Sequence, residues 1–241
     1  MRVDKGEWTA TMVKNRWEKG GIMTQQQPAY AQLIAEIAET RRTYASLANM
    51  VARPAGESTC VLVTSAARGE GKTLTAAGLA LVAAQTDRKR TLVVDLNWFA
   101  PALHSAFGLD QKQSLGDLSG KGKLAALVQK SGFDRLDVLA APMREGSHEP
   151  VGIEESAVAA ELLRKARDSY DLILVDMPPV FPTNRRMIDP AGFGRLSDGV
   201  VLVVLANVTP RRDIVRAKGV LTSAGASIAG VVVNQWKNPL A

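Results

Sequence analysis

The sequence contains a single cysteine, Cys60, among its 241 residues. One cysteine has no partner within the chain, so an internal disulfide framework and a cysteine metal site are both excluded. The class of secreted domains that depend on disulfides for their stability is therefore excluded. We expect a reducing, cytoplasmic setting.

Long hydrophobic runs are lacking as well. No stretch approaches the roughly 18 consecutive apolar residues of a membrane-spanning helix, and the N-terminal stretch mixes charges with Trp8 and Trp17 instead of forming a signal-peptide core. The sequence thus predicts no membrane anchor of its own. Because the first 22 residues have no clear period, we expect residues 1–27 to form a disordered extension, with translation beginning at Met1 or at Met23.

The positive charge of the sequence is scattered. The formal net charge is +6, but the basic clusters at Arg88–Arg90, Arg185–Arg186 and Arg211–Arg212 are short and are not interleaved with aromatic residues. A nucleic-acid surface usually needs a basic stripe or patch. The composition therefore predicts no nucleic-acid partner.

Strand-like and helical segments alternate through most of the chain. With 46% hydrophobic residues, the sequence is long enough for one domain with a substantial core, which we place at residues 28–241. Near-continuous runs of Val, Leu and Ile predict strands at Cys60–Thr64, Thr91–Asp95, Leu136–Ala140, Leu172–Asp176, Val200–Ala206 and Ile228–Val233. Helices are predicted at Tyr30–Val51, which is amphipathic, and at Lys72–Gln85, Lys123–Gln129, Ser156–Arg167 and Arg211–Ala224. This order predicts an α/β fold, a doubly wound and mostly parallel sheet with helices on both faces.

The first of these strands leads into a loop with the chemistry of phosphate binding. The strand CVLVT continues as SAARGEGKT, and a helical segment follows. Glycines at 69 and 71 allow successive backbone N–H groups to face a phosphate, and the helix N-terminus adds positive charge. Lys72, expected to face solvent, can reach the β and γ phosphates, and the Thr73 hydroxyl can ligate Mg²⁺. Strand, loop and helix together predict a P-loop NTPase that binds ATP and Mg²⁺.

Two other strands end in a carboxylate. Asp95 closes LVVD and Asp176 closes LILVD, in a sheet whose ligands bind beyond the carboxyl ends of the strands. A carboxylate at the end of a buried strand is costly unless it is compensated, and a phosphate-bound Mg²⁺ compensates it. Either aspartate alone could simply cap the turn that follows it.

The segments TSAARGEGKT, LVVDLN and YDLILVDMPPV resemble the Walker A, Walker A′ and Walker B motifs of the bacterial tyrosine kinases. The resemblance covers roughly residues 30–234. It implies a kinase linked to exopolysaccharide or capsule synthesis, with Lys72, Asp95 and Asp176 as catalytic residues and Thr73, Asp95 and Asp176 around Mg²⁺. It also implies a set of nucleotide-binding residues, which are Arg68, Gly69, Glu70, Gly71, Lys72, Thr73 and Asn234, the last at the adenine.

The resemblance also separates two branches and implies partners. Partitioning ATPases of the ParA/MinD type, which are similar in fold, carry a second lysine early in the loop, where this sequence has Ala67. Kinases of this family normally work with a membrane-spanning polysaccharide co-polymerase that activates them. Since this sequence lacks a span, it resembles the separate cytoplasmic type, which such a partner could recruit to the inner face of the plasma membrane. The helix from Glu36 to Arg42 aligns with a family oligomerisation motif, although Glu39 replaces its middle arginine, so a homo-oligomer could form there.

Two departures from the family pattern concern the chemistry. The second motif usually reads Asp-x-Asp, but this sequence has Asn97 as its last residue, and the C-terminal tyrosine cluster of the family is missing. A neutral residue 97 should weaken Mg²⁺ coordination or base function while leaving nucleotide binding largely intact. Two hypotheses follow: a tyrosine kinase acting on itself or on other proteins, and a kinase-like regulatory ATPase that does not phosphorylate tyrosine.

Overall fold

The computed structural model describes residues 37–51, 54, 56–120, 122–143, 153–182 and 187–235. The extension predicted for residues 1–27 lies outside these ranges and stays a prediction. Of the helix predicted to begin at Tyr30, the described part begins at Ile37.

One sheet of seven strands organises the described residues. The strands are β1 (Thr59–Ser65), β2 (Thr91–Asp95), β3 (Gln129–Lys130), β4 (Leu136–Leu139), β5 (Leu172–Asp176), β6 (Gly199–Leu205) and β7 (Ile228–Asn234). Their order across the sheet is β3-β4-β2-β5-β1-β6-β7. Every pairing is parallel except that of β3 with β4. The mostly parallel sheet expected from the sequence is confirmed.

Helices cover both faces of this sheet. They are α1 (Ile37–Met50), α2 (Lys72–Thr86), α3 (Leu103–Ala106), α4 (Leu115–Ser119), α5 (Ile153–Arg167), α6 (Pro190–Phe193) and α7 (Arg211–Ser223). Side chains alternate along β1, so that Val61 and Val63 join a core with α1 and α2, while Leu62 joins a second core with α5 and α7. Each fully buried side chain of this size contributes about 1.5–3 kcal/mol, so two such layers account for a doubly wound arrangement.

Helix α1 packs on the body of the domain. Tyr44 and Leu47 are buried in the core that α2 shares, and the Tyr44 hydroxyl donates a hydrogen bond of 2.6 Å to the Asp87 carboxylate. Arg41 and Arg42 are exposed. Glu36 lies outside the described residues, so the predicted oligomerisation motif is not covered in full.

The helix predicted at Lys123–Gln129 is wrong. A 3₁₀ turn at Leu124–Ala126 is followed instead by β3, in which Gln129 pairs with Val138 of β4. Leu124 and Leu127 are both buried, and a spacing of three residues suits a 3₁₀ turn as well as an α-helix. Pairing at the sheet edge then decides the conformation of the residues that follow, because a short segment has little helical propensity of its own.

Within the described ranges, no helix combines the length and the apolar character needed to cross a membrane.

Candidate nucleotide and metal site

The phosphate loop connects β1 to α2 and leaves the first turn of α2 uncapped. Gly69 and Gly71 have φ values of 84° and 91°, in the left-handed region that favours glycine. Gly71 is the N-cap of α2, and no side chain of the described structure caps that helix. The first N–H groups of a helix have no partner inside it, so they offer donors and partial positive charge to an anion. A side chain at Gly71 would also collide with Nδ2 of Asn234.

Glu70 braces this loop from inside. Its side chain is buried, and its carboxylate accepts a 2.8 Å hydrogen bond from the Ala67 N–H and another from the Thr209 hydroxyl. The Thr209 hydroxyl in turn accepts the Leu205 N–H at 2.9 Å. Glu70 is predicted to bind nucleotide, but its carboxylate already accepts hydrogen bonds from Ala67 and Thr209. The backbone N–H of Glu70 is the group left to bind a phosphate. Sequence reasoning missed Thr209, since only its position just beyond β6 hints at a site residue.

Asn234 lies where β7 ends and meets the loop. Its Nδ2 donates a hydrogen bond of 3.2 Å to the Glu70 carbonyl. The contact with adenine that the family resemblance implies for Asn234 stays a prediction. Arg68 and Gly69, by contrast, are exposed at the tip of the loop, where a ligand can reach them.

Lys72 is the first residue of α2 and is buried, with 5% of its surface exposed. The expectation of a solvent-facing loop lysine is wrong, because position 72 opens the helix beside the end of β5. Burial lowers the pKa of Lys72 below its ordinary value, whereas the charges of Asp176 and Glu70 raise it. A buried ammonium gains most from a nearby anion, so a phosphate is a favourable ligand here.

Thr73 and Asp176 form the pair best suited to a metal ion. The Thr73 hydroxyl donates a 2.5 Å hydrogen bond to Oδ2 of Asp176, while Oδ1 is buried without any hydrogen-bond partner among the described residues. Burial, and then the charge of Asp95, raise the pKa of Asp176 to about 8. A divalent cation would satisfy the orphan oxygen and stabilise the carboxylate.

This pair fits Mg²⁺ of the P-loop kind. No cluster of three or more His, Cys, Asp or Glu side chains occurs in the described ranges. Mg²⁺ usually keeps several waters and takes one or two carboxylates plus phosphate oxygens, so one hydroxyl and one carboxylate suffice when nucleotide is bound.

Asp95 is paired with Asp176 across β2 and β5, yet its carboxylate is already occupied. Oδ1 accepts the Asn97 N–H at 2.9 Å, and Oδ2 accepts the N–H groups of Ala102 at 3.2 Å and Leu103 at 3.1 Å. Burial raises its pKa to about 6, against the lowering effect of these bonds. In this conformation Asp95 organises the loop that follows β2, and direct ligation of a metal would require some of these bonds to break.

Asn97 sits in the same loop and is 8% exposed. Its Nδ2 donates a 2.9 Å hydrogen bond to the Ala100 carbonyl, and its Oδ1 is buried without a partner in the described structure. Trp98 is buried and donates from Nε1 to the Asp95 carbonyl at 2.8 Å, whereas Phe99 is exposed. The loop is therefore a self-contained turn around Asp95.

Comparison with known proteins agrees with this geometry. The profile of the family described as "CobQ/CobB/MinD/ParA nucleotide binding domain" matches residues 61–241. The chain is similar to the tyrosine-protein kinase YwqD of Bacillus subtilis (strain 168), with 33% identity over 179 residues, which are 73% of this chain and 72% of that protein.

Solved structures show the same likeness. The kinase domain of VpsO superposes with a TM-score of 0.69 and 28% identity, covering 86% of this chain and 99% of that domain. The septum site-determining protein MinD of Pyrococcus horikoshii, solved with Mg-ADP, has a TM-score of 0.58 and 22% identity over 74% of this chain and 71% of that one, which shows the shared fold. The chain belongs to the CobQ/CobB/MinD/ParA nucleotide-binding family and, within it, to the bacterial tyrosine-protein kinases.

Proposed function

We propose that this protein binds ATP with Mg²⁺ and transfers the γ-phosphoryl group to a tyrosine hydroxyl, as part of exopolysaccharide or capsule synthesis. One observation carries the proposal: a buried Lys72 lies beside a Thr73–Asp176 pair with an unsatisfied carboxylate oxygen, at the uncapped start of α2. The link to polysaccharide synthesis rests on the family resemblance alone.

The residues divide the work of binding and positioning. The N–H groups of the loop and of the first turn of α2 hold the phosphates, and the ammonium of Lys72 neutralises their charge. Thr73 and Asp176 would hold Mg²⁺, which when bound supplies further charge neutralisation at the transferred group. Asp95 fixes the loop that follows β2, and a direct part for it at the metal or at the attacking hydroxyl remains a prediction.

The tyrosines of the described structure are poor acceptors. The hydroxyl of Tyr44 bonds to Asp87 and that of Tyr170 bonds to Asp137, in both cases with the pKa raised by burial and by the neighbouring carboxylate. Each hydroxyl would have to leave its partner before it could attack a phosphate. Tyr30 lies outside the described residues. We therefore infer that the substrate tyrosine is more readily supplied by another chain.

One observation favours the second candidate, a regulatory ATPase without tyrosine kinase activity. A general base must accept the proton of the attacking hydroxyl, but Asp95 is saturated by backbone N–H groups and Asn97 carries no charge. Transfer from such a site would be slow unless the loop after β2 rearranges.

Labelled ATP distinguishes these candidates. Purified protein is incubated with Mg²⁺, γ-labelled ATP and a glutamate–tyrosine copolymer, and the label is separated into protein-bound, copolymer-bound and free phosphate. A kinase places label on tyrosine, and the Lys72→Ala variant does not. Release of free phosphate without phosphotyrosine would establish the regulatory ATPase instead, and absence of both activities would contradict the proposal as a whole.

Partners follow from the resemblance and remain proposals. A membrane-spanning co-polymerase is the expected activator, which would bring the protein to the inner face of the membrane. Helix α1, on which Arg41 and Arg42 are exposed, is the expected oligomer contact. Its Tyr44 and Leu47 are buried in the core of the same domain and are not available for such a contact.

A further inference from the structure

Exposed apolar side chains are concentrated in one segment of the described chain. Within the described ranges, eight large apolar side chains are exposed, and five of them lie between residues 208 and 233. These five are Val208, Val215, Val220, Val231 and Val233. Single exposed apolar residues need no explanation, but Val215, Val231 and Val233 lie on two neighbouring elements, and such a group suggests a contact surface.

Two of these valines lie on β7, at the edge of the sheet. The far edge of β7 pairs with no strand of the described structure, so the outward N–H and C=O groups of that edge make no ladder within the described ranges. Val232 packs against the core shared with α1 and α2. Because side chains alternate along a strand, Val231 and Val233 point to the opposite face, which α7 covers. They are 51% and 56% exposed.

The side of α7 that borders β7 can be identified from two contacts. Ala217 and Leu221 face the core, and the Arg216 guanidinium stacks over the Phe181 ring at 4.5 Å from its centroid. Phe181 follows β5, whereas β7 lies on the other side of β1 and β6. At 100° per residue, Arg211, Val215 and Lys218 share the helix side opposite Arg216, toward β7.

This surface has positive charge that the described structure does not neutralise. Asp213, the acidic residue of α7, lies on the other helix side and pairs with Arg212 at 3.7 Å. No carboxylate of the described residues forms an ion pair with Arg211 or Lys218. We use the name α7–β7 surface for Arg211, Val215, Lys218, Val231 and Val233.

We propose that the α7–β7 surface docks an extended segment of a partner protein in which apolar and acidic residues alternate, and that this segment adds as a strand along β7. The free edge supplies backbone hydrogen bonds, the valines supply apolar contacts on one face, and Arg211 and Lys218 attract the carboxylates. The residues named for this surface include no Trp, Phe or Leu, the side chains that amphipathic membrane anchors insert, so a protein segment fits this described surface better than a lipid surface.

A displayed library of random 12-residue peptides tests this docking directly. Peptides are selected on the purified full chain and counter-selected on the double variant Arg211→Glu/Lys218→Glu. We expect the enriched peptides to alternate apolar residues with Asp or Glu. A synthetic peptide of the consensus sequence should then bind the double variant at least tenfold more weakly in fluorescence anisotropy, and Val231→Asp should weaken it similarly.

Matched controls separate docking from general charge. Lys112→Glu/Lys123→Glu makes the same change in net charge at exposed positions elsewhere, and it should leave peptide affinity within twofold. Thermal unfolding and ADP titration of every variant show that the fold is retained. Enriched peptides without acidic residues, or an equal loss in the lysine control, would overturn the proposal. The proposal would also be overturned if no peptide were enriched and the protein instead sedimented with vesicles containing one third phosphatidylglycerol, in a manner that requires Arg211 and Lys218.

Discussion

Two loops at the same edge of the sheet treat their hydrogen-bond donors in opposite ways. The phosphate loop, residues 66–71, leaves the first N–H groups of α2 uncapped and places a buried ammonium beside them. The loop after β2, residues 96–102, turns N–H groups inward onto the carboxylate of Asp95. Both loops follow a fully buried parallel strand, so the strand does not set the difference.

This contrast indicates which of the two loops should bind a ligand. A loop whose donors are satisfied by a nearby carboxylate is stable without a ligand, whereas a loop with uncapped donors and a buried cation gains stability when an anion binds. The loop after β2 therefore holds its own residues in position, and the phosphate loop is the one that recognises an anionic ligand.

Replacing Lys72 should damage nucleotide binding most. In Lys72→Ala the phosphate loses its buried cationic partner, so ADP affinity should fall about 100-fold, equivalent to about 2.7 kcal/mol. Calorimetric titration measures this affinity. The control variant Arg68→Ala, at the exposed tip of the same loop, should lower ADP affinity much less. Equal losses in the two variants would mean that charge near the loop, not the buried ammonium, determines affinity.

Replacing Asp95 should damage stability more than binding. Asp95→Asn replaces one acceptor oxygen by an NH₂ group facing backbone donors, which should cost about 2–3 kcal/mol of unfolding free energy. Denaturant unfolding measures this cost. Asp171→Asn is the control, since Asp171 pairs with Arg90 at the exposed opposite edge and should cost about 1 kcal/mol or less. If Asp95→Asn kept its stability and lost Mg²⁺-dependent nucleotide binding, Asp95 would be a metal ligand after all.

The pH dependence of stability should reveal Asp176. Its pKa rises from an ordinary 3.8 to about 8 in the folded protein, so between these values the folded state holds more protons than the unfolded state. Stability of the nucleotide-free protein should therefore fall as pH rises from 5 to 8, and Asp176→Asn should flatten that slope. Thermal unfolding across this pH range decides it, and identical slopes in the two proteins would show that Asp176 is ionised throughout.

The brace between Glu70 and Thr209 should have a smaller effect on affinity. Glu70→Gln replaces one of the two acceptor oxygens of the brace, and Thr209→Val removes the bond to Glu70 together with the bond from the Leu205 N–H. Each variant should weaken ADP binding about threefold to tenfold. The double variant should be little worse than either single one, because both disrupt one linkage. Additive losses would show that the two side chains act independently on the loop.

Restoring a carboxylate at position 97 should have the smallest effect. Asn97→Asp supplies a second charge near the site and a candidate base, which should raise turnover by up to about tenfold, or about 1.4 kcal/mol of barrier. It also places a carboxylate oxygen against the Ala100 carbonyl, so some stability should be lost. Steady-state release of phosphate and phosphotyrosine measures the gain. An unchanged or lower rate would favour a remodelled, regulatory site.

Sequence reasoning succeeded where a residue pattern has one structural solution. A strand of CVLVT followed by glycines, a lysine and a helical segment permits few conformations, and strands ending in Asp95 and Asp176 meet at one edge of a parallel sheet by topology alone. The fold and the neighbourhood of Lys72, Thr73 and Asp176 could therefore be predicted.

The sequence did not predict contacts between residues that are far apart in the chain. The contact of Glu70 with Thr209 joins residues that are far apart in the chain, and the burial of Lys72 depends on the end of β5. The saturation of Asp95 by Ala102 and Leu103 depends on how the loop after β2 folds back onto the strand end. The helix wrongly expected at Lys123–Gln129 failed for the same reason, since pairing with β4 overrides the weak preference of a short segment.

Hydrogen–deuterium exchange with and without Mg-ADP tests the contrast between the two loops most directly. We expect Mg-ADP to give new protection of the backbone amides from Arg68 to Thr73, with unchanged and already high protection of Asn97, Ala102 and Leu103. Protection that appeared in the loop after β2 and not in the phosphate loop would contradict it, because the ligand would then bind the donors that Asp95 holds in this structure.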